Sequence, residues 1–254
     1  MKDTALTYSQ MILGDYHEFI KVLSKNNDNM LNLSDSDKVN FEELHKILYF
    51  FKELQIELNY PDQNVKDAFS ETINGFLDFM WLIGCCRYKV SVLTLRSAME
   101  MYVKGLAREM KLNEVDSFSN NIEVVSKEIP IIMGRELRIT PSKQKKMKKY
   151  INLNYSTRMK DIYWDCSDIA HGRLSTFSDF SKYMENVLNL SENYNRSNHQ
   201  EIMETAIEVI RLMIELLIII EFNKLSDVMN STKIEHILGN LSVKFNRYKD
   251  TYLL

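Results

Sequence analysis

The sequence predicts an all-α protein, a helical bundle with extra helices at its N-terminal end. The 254 residues include only 7 glycines and 3 prolines, the two residue types that interrupt helices most strongly. Leucine, isoleucine, methionine, glutamate and lysine are abundant, and these side chains lose little rotamer freedom in a helix. Apolar residues also recur at helical spacing along most of the chain. We expect residues 1–60 to form an N-terminal helical elaboration and residues 61–254 to form the bundle, as one compact unit.

The first four helices are predicted from apolar spacing and capping signals. The polar run NNDNMLNLSDSD predicts a loop after the first helix. Asn40 and Glu43 are spaced as a capping box, and they should open a second helix that ends as Pro61 approaches. The other helices of this part are expected at 5–24, from about 65 to 86 and from about 90 to 110.

The second half of the chain is predicted to contain one ambiguous segment and three further helices. The segment IEVVSKEIPIIM is ambiguous between helix and strand because of its β-branched residues. Thr140 and Pro141 predict a helix start, because proline fits the first helical position and threonine can cap it, and this helix should reach about Gly172. Another helix is expected near Ser178. A cap at Ser197 and Gln200 should open a long apolar helix that continues through 222.

Composition excludes several classes of protein. The three cysteines, two of them adjacent, give neither a disulfide framework nor zinc spacing, which favours the reducing cytoplasm. The first residues, MKDTALTYSQ, contain no apolar signal core. The apolar segment 206–222 contains Glu208, Arg211 and Glu215, so we expect it in a bundle core or a homodimer interface and not in a membrane. No motif for a cofactor or a metal is present, and we expect neither.

A candidate catalytic histidine lies in the stretch YWDCSDIAHGRLSTF. On a helix Trp164, Ser167, Asp168 and His171 fall on one face. Asp168 can orient the imidazole, and the C-terminal end of a helix favours its protonated form. A histidine held in this way suits general acid–base catalysis. The alternative is a structural histidine at a helix end, satisfied by Asp168, with Trp164 in the core.

A second polar position lies in TLRSAMEMYVKGL. Arg96 falls within an otherwise apolar helical stripe, and Glu100 follows it one turn later. An arginine in such a place requires a partner, so the two side chains should form an ion pair. The pair can simply orient this helix. It can also help to hold a phosphate near His171, because guanidinium groups bind phosphate well.

The third feature is a basic block in a chain whose net charge is −3. From Met133 to Lys160 there are nine lysines and arginines and one acid, Glu136. Such local asymmetry predicts a contact with a phosphate backbone, although charge runs are also common on solvated helix faces. The candidate RNA-binding residues are Arg135, Arg138, Lys143, Lys145, Lys146, Lys148 and Lys149.

The segments LRSAMEMYVKGL and YWDCSDIAHGR resemble the two signature helices of the HEPN superfamily, particularly its abortive-infection and related defence branches. The resemblance implies an α-helical bundle, frequently a homodimer, and often a metal-independent ribonuclease of toxin–antitoxin or anti-phage systems. The nuclease motif of that family is an arginine, four to six residues, and a histidine. His171 matches the histidine, but Trp164, Asp165 and Cys166 occupy the arginine positions.

Two functions therefore remain open for this chain. In the first it acts on RNA by cleavage without a metal: His171 is the general acid or base, Arg96 and Arg173 stabilise the phosphorane charge, and Asp168 or Glu100 orients them. In the second it is a catalytically silent interaction module or regulatory subunit of a partner protein encoded elsewhere, and the same residues form a structural polar cluster.

Overall fold

The all-α class is confirmed by the computed structural model, which describes residues 7–26, 34–115, 117–136, 140–171 and 196–228. Within these ranges there is no strand. The predicted helix near Ser178 and the positions of Arg138 and Arg173 lie outside the described residues. The elements are α1 (Tyr8–Asn26), α2 (Asp35–Leu58), α3 (Gln63–Gly84), α4 (Tyr88–Glu109), α5 (Phe118–Glu136), α6 (Pro141–Ile151), a π segment (Asn152–Thr157), α7 (Arg158–His171) and α8 (Arg196–Val228).

The start of α2 corrects the predicted capping box. The box is formed by Ser34 and Asp37, not by Asn40 and Glu43. The Asp37 backbone N–H donates to the Ser34 hydroxyl at 3.3 Å, and the Ser34 backbone N–H donates to the Asp37 carboxylate at 3.2 Å. The polar run that predicts a loop therefore already contains the first turn of the helix, because serine and aspartate satisfy its free N–H groups.

Helices α3 and α4 form a tightly packed hairpin joined by three residues, 85–87. At their crossing a Cβ on Gly75 would lie 2.9 Å from the Cβ of Ala98 and 3.4 Å from the Thr94 carbonyl oxygen. Glycine at this position therefore lets the two backbones approach more closely than any larger residue would. The approach fixes α4, which carries Arg96 and Glu100, against the rest of the bundle.

The segment that the sequence leaves ambiguous forms helix α5, with Pro130 inside it. Its buried residues Ile122, Val125, Ile129 and Met133 recur at helical spacing and face α4 and α6. The predicted helix from Pro141 to about residue 172 is present as α6, the π segment and α7 in direct succession. Thr140 is its N-cap residue, but the Thr140 side chain makes no capping hydrogen bond.

Helix α8 lies at the centre of the bundle, against α2, α4 and α7. Ser197 and Gln200 lie inside this helix, which begins at Arg196, so they are not its cap. From 206 to 222 most side chains are buried and the others are half-buried, and the Tyr102 hydroxyl of α4 donates to the Met213 carbonyl at 2.6 Å. The apolar surface of α8 is thus covered within the chain. Among the described residues no helix is both long and apolar enough to cross a bilayer.

Candidate functional site

A polar and aromatic cluster joins α4 to α7. The Arg96 guanidinium donates to the Tyr163 hydroxyl at 2.7 Å, and that hydroxyl donates to the Glu100 carboxylate at 2.6 Å. Arg96 Nε also lies 3.5 Å from Glu100 Oε1, as the i, i+4 spacing predicts. The two helices that carry the sequence motifs therefore pack together, and they do so through Tyr163, whose contacts with Arg96 and Glu100 the sequence did not predict.

The ring of Tyr163 is enclosed on both faces. The Arg96 guanidinium carbon lies 4.5 Å from the ring centroid, and Phe118 of α5 stacks on the ring at 4.2 Å with an interplanar angle of 11°. Burial raises the pKa of Tyr163, and its hydrogen bond to Glu100 raises it further. Its hydroxyl is therefore neutral at physiological pH and donates to the carboxylate. The Arg96 guanidinium therefore lies over the Tyr163 ring, donates to the Tyr163 hydroxyl and pairs with Glu100.

The residues around His171 do not all share one environment. Trp164 is 58% exposed, so its predicted core position in the structural alternative is wrong. Ser167 is 4% exposed and donates to the Tyr163 carbonyl at 2.9 Å, on the buried side of α7. Asp168 is exposed. The predicted polar face of α7 is therefore only partly exposed: Trp164 and Asp168 face solvent, whereas Ser167 packs inward.

His171 is the last residue of α7, and its side chain lies outside the described part of the structure, as does Arg173. Tyr163, the residue that Arg96 contacts, precedes His171 by eight residues. At 1.5 Å per residue this is about 12 Å along the helix axis. The described contacts thus bring Arg96 and Glu100 together, and they do not link Asp168 to either of them.

Helix α6 presents a concentrated positive charge. Its five lysines, Lys143, Lys145, Lys146, Lys148 and Lys149, are all exposed. Within the described part of the chain none of them forms an ion pair. Buried Met147 and Ile151 anchor the opposite face of the helix, so the lysines point to solvent. Arg135 lies nearby on α5, is exposed, and is 3.6 Å from Glu128.

The charge reverses from α6 to α7. Asp161, Asp165 and Asp168 are exposed on α7. Its basic residues are already engaged, because Arg158 donates to both carboxylate oxygens of Glu208 at 2.6 Å and Lys160 pairs with Glu123 at 3.2 Å. Lys149 and His171 are separated by 22 residues, or about 33 Å of helix rise. The lysines of α6 therefore do not adjoin the candidate histidine.

Two clefts lie beside the π segment and α7. The first, of about 620 Å³, lies between α2, the π segment and α8. Its buried Glu215 accepts from the Tyr155 hydroxyl at 3.1 Å, and Arg211 pairs with Glu43 across it. Sequence reasoning missed these residues because each contact joins positions that are far apart in the chain. The only available signal was the glutamates and Arg211 inside the apolar segment 206–222.

The second cleft is a groove of about 490 Å³ between α4, α7 and the start of α8. Asp165 and Asp168 lie on its rim together with Glu201 of α8. Asp168, proposed from sequence to orient His171, therefore lines this groove. Among the described residues no group of histidine, cysteine, aspartate and glutamate side chains could hold a metal ion.

Comparison of the chain with protein-family models, with curated proteins and with solved structures finds no match. The resemblance to the HEPN superfamily therefore depends on its two short motifs alone.

Proposed function

We propose that this chain is an RNA-directed, HEPN-like protein that binds a phosphate backbone through α6. The observation that carries the proposal is the row of five exposed lysines, Lys143 to Lys149, none of which pairs with an acid within the described residues. In the described part of the chain, by contrast, most lysines that do form ion pairs are paired with a carboxylate on their own helix. Unneutralised lysines on one helix attract a polyanion and release its counterions on binding.

The sharper version of this proposal is cleavage of the bound RNA in a toxin–antitoxin or anti-phage system of the cytoplasm. His171 is then the general acid or base at the end of α7, with Arg96, Arg173, Asp168 and Glu100 as supporting residues. Its support is the family resemblance of the two helices and their packing against each other. The homodimer that the resemblance implies belongs to this version, although the apolar α8 gives no separate argument for it.

A second candidate function is a catalytically silent interaction module. It is favoured by the engagement of Arg96 with Glu100 and Tyr163, which leaves this guanidinium fewer donors for a phosphate. It is also favoured by the acidic surface of α7, which repels a phosphate backbone between the lysines and His171.

One experiment separates these functions: binding and integrity of a labelled single-stranded RNA are measured in EDTA over a range of salt. Replacing Lys145, Lys146, Lys148 and Lys149 with glutamine should flatten the salt dependence by up to about three units of slope. The matched control replaces four exposed lysines elsewhere that also form no ion pair among the described residues, which removes the same net charge; these are Lys25, Lys52, Lys89 and Lys111. Equal effects of the two quadruple variants would contradict binding through α6.

His171→Ala tests cleavage in the same assay. If His171 is catalytic, this variant should bind RNA with unchanged affinity, lose cleavage and melt at nearly the same temperature. If His171 only caps the helix, the variant should lose about 1 kcal/mol of stability and keep its activity. Intact RNA with the unaltered protein would leave the silent module as the function.

A further inference from the structure

The groove between α4, α7 and α8 has an apolar floor and an acidic rim. The side chains of the floor are Val92, Leu95, Ile162, Cys166 and Ile202. Each of them is at most 8% exposed, so the floor is a narrow strip at the bottom of the groove. Above it are the three rim carboxylates, Asp165, Asp168 and Glu201, all on exposed residues.

These three carboxylates have no ion-pair partner among the residues that the structure describes. Among the described residues that line the groove, the basic one is Arg158, and its Nε and Nη2 both donate to Glu208. Glu208 is therefore the main reason that the pKa of Arg158 is raised, while Asp161 and Asp165 contribute less. Within the described residues the rim thus keeps an excess of negative charge.

The apolar floor and the acidic rim indicate which chemical groups the groove can bind. A phosphate backbone is repelled by three carboxylates. A metal ion is also disfavoured, because the described side chains of this region do not form a ligand cluster. An arginine or lysine side chain fits both parts of the groove: its methylene stem can lie on the apolar strip while its charged end reaches the rim. A guanidinium group can also form paired hydrogen bonds with a carboxylate.

We propose that this groove is the docking site for a basic helix of a partner protein, which inserts an arginine or lysine side chain between α7 and α8. Asp165 and Asp168 are one turn apart on α7, and Glu201 faces them from α8, so the inserted cation meets carboxylates on both sides. The groove shares no residue with α6, and RNA binding and partner binding can therefore be lost separately.

The test uses the full chain and a fluorescein-labelled amphipathic peptide of about 15 residues, long enough to form a helix, that contains arginine and leucine. Fluorescence anisotropy should show saturable binding of this peptide and not of a matched peptide with glutamine in place of arginine. The triple variant Asp165→Asn, Asp168→Asn, Glu201→Gln should bind it at least about tenfold more weakly, because each exposed ion pair contributes up to about fivefold. The control is Asp161→Asn, an exposed acid on α7 that does not line the groove.

A second variant tests whether a cation placed in the groove by the chain itself blocks peptide binding. Thr205 lies in its lining on α8, and Thr205→Arg would supply a cation from within the chain. This variant should weaken peptide binding as strongly as the triple variant, and circular dichroism checks that both remain helical. Unchanged binding to either folded variant would overturn the proposal, as would equal binding of the glutamine peptide. If light scattering shows self-association that the triple variant abolishes, the occupant is a second copy of this chain and the partner assignment is wrong.

Discussion

Tyr163 connects two charged side chains of α4 to the aromatic packing of α5. Its hydroxyl both accepts from Arg96 and donates to Glu100, and its ring lies between the guanidinium group and Phe118. Hydrogen bonds to charged groups are stronger than those between neutral groups. The three polar side chains therefore form one unit, in which the loss of the hydroxyl affects both charges.

Tyr163→Phe should destabilise the protein by about 1–2 kcal/mol, because it removes two hydrogen bonds to charged partners and keeps the ring. Urea unfolding of Tyr163→Phe, Glu100→Gln and the double variant measures the coupling. The double variant should be less destabilised than the sum of the two single ones by at least about 0.5 kcal/mol. Glu18→Gln on α1 is the control and should be additive with Tyr163→Phe. Additivity at Glu100 would show that the hydroxyl contributes nothing through this carboxylate.

The sequence predicts contacts between side chains one helical turn apart well, and contacts between residues distant in the chain poorly. Arg96 and Glu100 are one turn apart, so helical geometry alone predicts their contact. Tyr163 is more than 60 residues from both, and its role depends on how α4 and α7 pack. The exposure of Trp164 was missed for a related reason, since residue type favours burial of an indole but the packing of its helix decides it.

Buried histidines lie at two junctions between helices. His45 of α2 is 5% exposed, and its Nε2 lies 2.9 Å from an Asp15 carboxylate oxygen of α1. His199 of α8 is completely buried, and its Nε2 lies 3.7 Å from a carboxylate oxygen of Asp37 in the capping box of α2. Burial lowers the pKa of both histidines, although the neighbouring aspartate opposes the effect in each case.

The protein should lose stability as the pH falls below about 6.5, the ordinary pKa of histidine. Because the pKa values of His45 and His199 are lower in the folded state, the unfolded chain binds more protons in this range and is favoured. Urea unfolding at about pH 7.5 and about pH 5.5 measures the change. The double variant His45→Gln, His199→Gln should show a smaller change than the unaltered protein. His17→Gln, at an exposed position of α1, should show the same change, and no difference between the variants would assign the pH effect to other groups.

The sequence predicts which segments form helices better than it predicts where each helix starts. Apolar spacing predicts α1, α3 and α4 to within a few residues, because one face of each helix is buried. The start of α2 was wrong because LSDSD is polar and was assigned to a loop, although serine and aspartate three residues apart also satisfy a helix N-terminus. The ambiguity of α5 came from β-branched residues, whose weak helix preference is outweighed by burial against α4 and α6.

In the whole molecule, the N-terminal helices α1 and α2 share one apolar core with the other helices. Helix α2 packs extensively on α8, and its aromatic and aliphatic side chains belong to the same apolar cluster as those of α3 and α4. The helical pattern of the sequence predicted an N-terminal elaboration of the bundle within one compact unit. It could not reveal that α8, which is more than 130 residues away from α2 in sequence, needs α2 to cover one of its sides.

Removal of residues 1–60 should therefore unfold the protein, whereas removal of residues 1–33 should leave a helical fold of lower stability. Phe41, Leu44, Phe50 and Phe51 of α2 are fully buried, and burial of such side chains contributes about 1.5–3 kcal/mol each. The four together contribute about as much as the net stability of a typical domain, about 5–15 kcal/mol. Helix α1, by contrast, packs mainly on α2. Circular dichroism and thermal melting measure both variants. A cooperative melt of the chain 61–254 would show that the bundle folds without α2 and that residues 1–60 are a separable elaboration.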